Sequence, residues 1–101
     1  MKIQLLNGGH FISRGYGKHP ERVMDSWEII VVNSGVLGIF ERDKCFEVKD
    51  GEYLLLHPCR RHGGTLDYRR GLSFFWIHFL FENPEQAGTF PQYGVLVNRE
   101  K

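Results

Sequence analysis

A chain of 101 residues with 42% hydrophobic and 25% charged side chains is the size of one domain and too apolar to be disordered. Its formal net charge of +1 leaves no electrostatic footprint for nucleic acid. Two cysteines make no disulfide framework, and the longest apolar run, Leu72 to Phe81, falls far short of the ~20 residues of a transmembrane helix.

The N-terminal residues Met1 to Leu6 form a short apolar segment, with Ile3, Leu5 and Leu6 too few for a signal-peptide core. An edge strand and an arm across a pocket are both open readings for it. Asn7-Gly8-Gly9 reads as a turn, His10 to Ser13 as a short strand, and Gly15-Tyr16-Gly17 as its break. Lys18 to Ser26 is polar and contains Pro20, so it reads as a loop. The β-branched run Ile29 to Val32 predicts a strand starting at Trp27. Asn33-Ser34-Gly35 is a turn that pairs it with a strand over Val36 to Phe40. Arg42-Asp43-Lys44 turns again, Cys45 to Val48 returns, and Lys49-Asp50-Gly51 makes a further turn.

Tyr53 to Leu56 is an apolar run short enough for one buried strand, and His57-Pro58 ends it because proline has no N–H for a ladder bond. His62 follows four residues past the proline. Gly63-Gly64 reads as a turn into Thr65 to Tyr68, and Arg69-Arg70-Gly71 as the next turn. Leu72 to Phe81 is expected to be the longest strand. Glu82 to Gln92 carries Pro84, Gly88 and Pro91 and reads as a loop, with a last edge strand over Tyr93 to Asn98. Turns that recur about every ten residues, with no amphipathic helical stretch, predict an antiparallel sandwich or barrel. The arginine pairs 60–61 and 69–70 read as solvated loop charges. Cys45 and Cys59 are expected to be reduced thiols in a cytoplasmic protein.

Three stretches stand in an informative order. Glu28 and Gly35 are separated by six residues, Gly51 leads through a strand and Pro58 to His62, and Trp76-Ile77-His78-Phe79 closes the set. Over roughly Arg14 to Phe81 this resembles the N-terminal effector-binding domain of AraC/XylS-family transcription regulators. The resemblance implies an all-β fold of the cupin type, a double-stranded β-helix or jelly roll, forming a single domain over residues 1–101. It also implies a small polar effector, sugar-like, held without covalent chemistry. DNA would be met only through a helix-turn-helix domain of the family that has no counterpart in this sequence. No membrane partner is expected, and a homodimer is compatible with the family. The chain is expected not to be an enzyme.

The site residues expected from this resemblance are Arg22, Glu28, His62, Phe74, Trp76 and His78. Arg22 offers a planar fork suited to a carboxylate or to vicinal hydroxyls, with a solvated loop arginine paired to Glu21 or Asp25 as the competing reading. Trp76 offers an apolar ring face and one directed N–H, against a plain core role. Strand parity puts Phe74, Trp76 and His78 on one face and Phe75, Ile77 and Phe79 on the other. Trp27, of opposite parity to Glu28, should face away from the pocket. A buried Glu28 requires a partner such as Arg22, His62 or a ligand hydroxyl. His57 reads as structural.

The alternative function is a small metal-dependent cupin enzyme of isomerase or dioxygenase type; a third reading is a dimerisation unit with a dead pocket. Cupin enzymes place two histidines shortly before the glutamate, where this chain has Arg22 and Met24. Arginine offers only donors and cannot ligate. His19 falls outside the motif. Glu28 and His62 alone are too few for a stable site, so no metal and no cofactor are expected.

Overall fold

A computed structural model describes residues 2–96. The described chain is built from eight strands, β1 (Ile3–Ile12), β2 (Trp27–Ser34), β3 (Val36–Glu41), β4 (Lys44–Lys49), β5 (Glu52–Leu56), β6 (His62–Gly64), β7 (Ser73–Phe81) and β8 (Tyr93–Val95). A 3-10 turn over Pro84–Thr89, capped by the Asn83 side chain, is its only helical element among the described residues. Among the described residues no helix is long and apolar enough to cross a membrane. Five strands form one sheet in the order β1-β7-β2-β5-β8, and three form a second in the order β4-β3-β6. Every strand pairing is antiparallel. This is the all-β, two-sheet sandwich that the strand pattern implies.

The core lies between the sheets, and period-two alternation selects its members. On β2 the buried positions are Glu28, Ile30 and Val32; on β3 the inward side chains are Leu37, Ile39 and Glu41, with Gly38 buried between the first two. Val48, Leu54, Leu56, Leu72 and Phe74 complete the layer. Each fully buried aliphatic side chain contributes roughly 1.5–3 kcal/mol of transfer free energy. The cluster therefore supplies the main rigidity of the domain, and the polar groups at its open end are set on that base.

Several turns read from glycine are something else. Asn7-Gly8-Gly9 lies inside β1, which runs through to Ile12 with one register shift between Leu5 and Asn7. A Cβ at Gly9 would stand 2.8–3.1 Å from the indole atoms of Trp76, so glycine is there to admit the ring. Because of this continuity β1, not β7, is the longest strand. Gly63-Gly64 likewise belongs to β6, which pairs with β3. The Asn33-Ser34-Gly35 turn does not close a hairpin: β2 and β3 lie in different sheets. Gly35, at φ +85°, steers the chain from one sheet to the other, where a Cβ would be 2.9 Å from the Leu72 Cα. Arg42-Asp43 does close a hairpin, with Arg42 at φ 56°. Of the last expected strand, Tyr93–Val95 pairs with β5, Leu96 lies beyond the strand, and Val97 and Asn98 lie outside the described residues.

Candidate ligand-binding site

Neighbouring strands bring Glu28 and His78 together. Glu28 on β2 is in register with His78 on β7, and both point inward. His78 Nε2 stands 3.4 Å from Glu28 Oε1. From the opposite sheet His62 reaches the same oxygen, with Nε2 at 3.9 Å. His62 also clamps the loop before β2. Its N–H donates to the Arg22 carbonyl at 3.0 Å, and the Arg22 N–H donates back to the His62 carbonyl at 2.9 Å. So anchored, Arg22 extends its guanidinium to Glu28, NH2 to Oε1 at 3.4 Å.

One residue earlier on that loop than Pro20, His19 is drawn in by β6. The Gly64 N–H donates to the His19 carbonyl at 3.0 Å. A Cβ on Gly64 would come within 2.8 Å of the His19 nitrogen, so only glycine lets the loop lie this close. His19 is buried, its ring 5.4 Å from that of His62 between centroids. Its Nδ1 lies 3.1 Å from the Pro20 carbonyl. That contact is a hydrogen bond only when Nδ1 carries the proton, which leaves Nε2 with its lone pair free.

Burial holds the His19 imidazole below its ordinary pKa, against the pull of Glu28. Burial, seconded by the Arg22 charge, does the same for His62. Both rings are therefore neutral at pH 7, and Glu28 is the acid on which they converge. Tyr68, pushed up to about 12 chiefly by burial, keeps its phenolic proton.

Above this polar floor is a cavity of about 320 Å³ with aromatic walls. Phe11, Tyr68 and Phe74 pack as a cluster, with Phe11 4.6 Å from Tyr68 and 5.0 Å from Phe74 between ring centroids. Trp76 lies beside His78 at 5.0 Å. Of the six residues expected from sequence, Arg22, Glu28, Phe74, Trp76 and His78 line this cavity. His62 does not line it; it is 1% exposed and stands behind Glu28. Phe11, Lys18, His19 and Tyr68 line or floor the site without having been expected. Phe11 falls in the stretch His10 to Ser13 that already reads as a strand. His19 had no sequence signal, because a tertiary hydrogen bond to β6 places it.

Other groups take structural roles. Arg22 pairs with neither Glu21 nor Asp25; Glu21 meets Arg61 at 3.3 Å. His57 donates its backbone N–H to Glu41 at 2.7 Å, and Arg60 and Gln92 converge on the same buried carboxylate. Trp27 faces outward, packed on His57 and Phe81. Cys45 and Cys59 are free and exposed. On the outer face of the large sheet an apolar groove of about 340 Å³ is lined by Leu5, Ile29, Leu55, Ile77, Phe79 and Phe81 among others.

Residues 9–89 match the family described as AraC-like ligand binding domain. The chain is 37% identical over 75 residues to YisR, an uncharacterized HTH-type transcriptional regulator of Bacillus subtilis strain 168. The match covers 68% of this chain and 26% of that protein, so the chain spans about a quarter of its relative's length. Among solved structures it is similar to the plu4264 protein of Photorhabdus luminescens. The TM-score is 0.61 at 21% identity, covering 74% of this chain and 62% of the other. It is also similar to a recombinant oxalate oxidase in complex with glycolate, TM-score 0.57 at 19% identity, covering 81% and 43%. At such identities the structural likeness speaks to the fold alone, which is the cupin-type sandwich.

Proposed function

The chain belongs to the AraC-like ligand binding domain family, and from that premise we propose that it is the effector-sensing domain of a transcription regulator, holding a small polar molecule, a sugar first, in the cavity above Glu28. The observation that carries this reading is that Trp76 and the Glu28–Arg22 pair line one cavity. A pyranose has an apolar C–H face and an equatorial rim of hydroxyls. The indole suits the face, and a carboxylate paired to a guanidinium suits the rim, since one accepts and the other donates. The domain is a single binding unit on this reading, acting in the cytoplasm as a non-enzyme. It works as a dimer within the regulator. Contact with DNA falls to a separate helix-turn-helix domain, in keeping with the HTH-type relative. Ligand binding would shift the populations of two arrangements of that larger protein.

A thermal-shift screen of the chain against hexoses, pentoses and sugar acids, run with chelator present, tests the reading. A saturable rise in melting temperature for one sugar class is expected. No rise for any of them would remove the sugar from the proposal.

A further inference from the structure

The floor of the cavity holds more nitrogen and oxygen ligand atoms than its hydrogen bonds use. His19, Glu28 and His62 are 5%, 2% and 1% exposed. One ligand atom from each lies within 4.8 Å of the other two. Nε2 of His62 and Nε2 of His78, the nitrogens nearest Glu28, are buried without a hydrogen-bond partner. Buried imidazole nitrogens left unpaired are costly, on the order of 1–3 kcal/mol each, so a structure that keeps two at one point calls for a partner there. His19 supplies the complementary feature: its Nδ1 is engaged by the Pro20 carbonyl. A backbone carbonyl on one ring nitrogen is how proteins orient an imidazole whose other nitrogen binds a metal.

We propose that His19, Glu28 and His62 form a site for one divalent transition-metal ion of the Zn²⁺, Co²⁺ or Ni²⁺ class, with His78 Nε2 as a fourth ligand. This reverses the expectation from motif spacing, which discarded His19 and counted two ligands. The donor set of imidazoles and one carboxylate suits these borderline ions. Ligand atoms at ~2.0–2.2 Å from one tetrahedral ion stand about 3.3–3.6 Å from each other. His78 and His62 Nε2 stand 3.4 and 3.9 Å from the Glu28 oxygen, and the ligand atoms of His19, Glu28 and His62 lie within 4.8 Å of one another, so side-chain movement is needed to draw them onto one ion. The Glu28–His78 pair needs no backbone change, because β2 and β7 are already in register.

Arg22 is the competitor. Its guanidinium stands 3.4 Å from the same Glu28 oxygen and cannot itself ligate. Its side chain is 35% exposed, so it can leave Glu28 for solvent when an ion enters. Glu28 is thus neutralised either by Arg22 or by the metal. The inference goes beyond the sugar reading and does not depend on it, and Arg22 separates the two. Removing it weakens a sugar that it binds but strengthens a metal with which it competes.

The test uses the chelator-stripped 101-residue chain, titrated with Zn²⁺ by calorimetry and with Co²⁺ by visible absorption, no sugar present. One ion per chain and tetrahedral Co²⁺ bands are expected. His19→Ala and His62→Ala should each weaken binding by about tenfold or more. His10→Ala, on the exposed part of β1, should not change it. Arg22→Gln should tighten it several-fold. If His19→Ala is misfolded by circular dichroism, His19→Gln and Arg22→Gln still decide. Absence of saturation below ~100 µM in the unsubstituted chain overturns the proposal. So does unchanged binding in the folded His19 and His62 variants, or weaker binding in Arg22→Gln.

Discussion

Glu28 Oε1 is the point on which Arg22, His62 and His78 converge, at 3.4, 3.9 and 3.4 Å, and His78 is its direct cross-strand neighbour. A carboxylate with this many claimants is where ligand affinity and fold stability come apart. Glu28→Gln keeps the shape, and its amide can donate to an imidazole nitrogen that has no partner in the present arrangement. Arg22, partly exposed, regains water. We expect the melting free energy to change by less than about 1 kcal/mol, since removing one side of a buried pair is harmless only when the other can hydrate. Effector affinity should fall in the same variant. A large stability loss with normal binding would assign Glu28 to the scaffold.

The two tryptophans should report differently. Trp76 lines the cavity, whereas Trp27 packs on His57 and Phe81 outside it. An accepted sugar should change the fluorescence of Trp27→Phe and leave that of Trp76→Phe nearly unmoved. Arg22→Ala should weaken the sugar by roughly 1.5–3 kcal/mol, the range for a hydrogen bond to a charged group. That is about ten- to hundredfold in Kd. The opposite pattern of fluorescence would reverse the inward and outward faces and overturn the assignment of the ligand to the cavity.

Acid should loosen the domain through Glu41. Burial alone would raise its pKa, but the His57 N–H, Gln92, the His57 ring and Arg60 outweigh it and hold the carboxyl below the usual 4.5. A depressed carboxyl stabilises the fold above its unfolded pKa and loses that contribution as pH falls through the folded one. Glu41→Gln turns an amide N–H₂ toward several donors and should cost about 1–3 kcal/mol at pH 7. Urea melts at pH 7 and below pH 4 should show this gap narrowing in acid. A gap that is constant with pH would mean the carboxylate charge is irrelevant.

Gly64→Ala probes how His19 is held. The new Cβ would meet the His19 nitrogen at 2.8 Å and Lys18 Cγ at 2.6 Å. Overpacking of this kind costs about 1–3 kcal/mol. The loop should move off β6, and ligand or metal affinity should drop with it. Gly88→Ala, where nothing lies within 4 Å, is the matched control. Equal behaviour of the two variants in a thermal melt would show that the loop is not fixed by this contact.

Much of the fold was legible because alternation is a local signal. The inward set Phe74, Trp76, His78 and the outward Trp27 follow from parity, and β4, β5 and β7 from apolar runs between turns. What failed was glycine. The same residue type bends the chain at Gly51, admits an indole at Gly9, admits a loop at Gly64 and crosses between sheets at Gly35. Only the first of these uses is a reversal, and sequence does not distinguish them. In the site, Arg22 and Glu28 were readable from motif position. His19 was not, since its place depends on a hydrogen bond to a strand more than forty residues away.

Strand β7 belongs to two surfaces at once. Trp76 and His78 look into the cavity, and Ile77 and Phe79, their immediate neighbours, look into the apolar groove on the far side. A pleated backbone cannot move one set without the other. On the proposed reading, a ligand in the cavity would therefore need no relay of side chains through the core to be felt outside: one strand is all that separates the cavity from the outer groove.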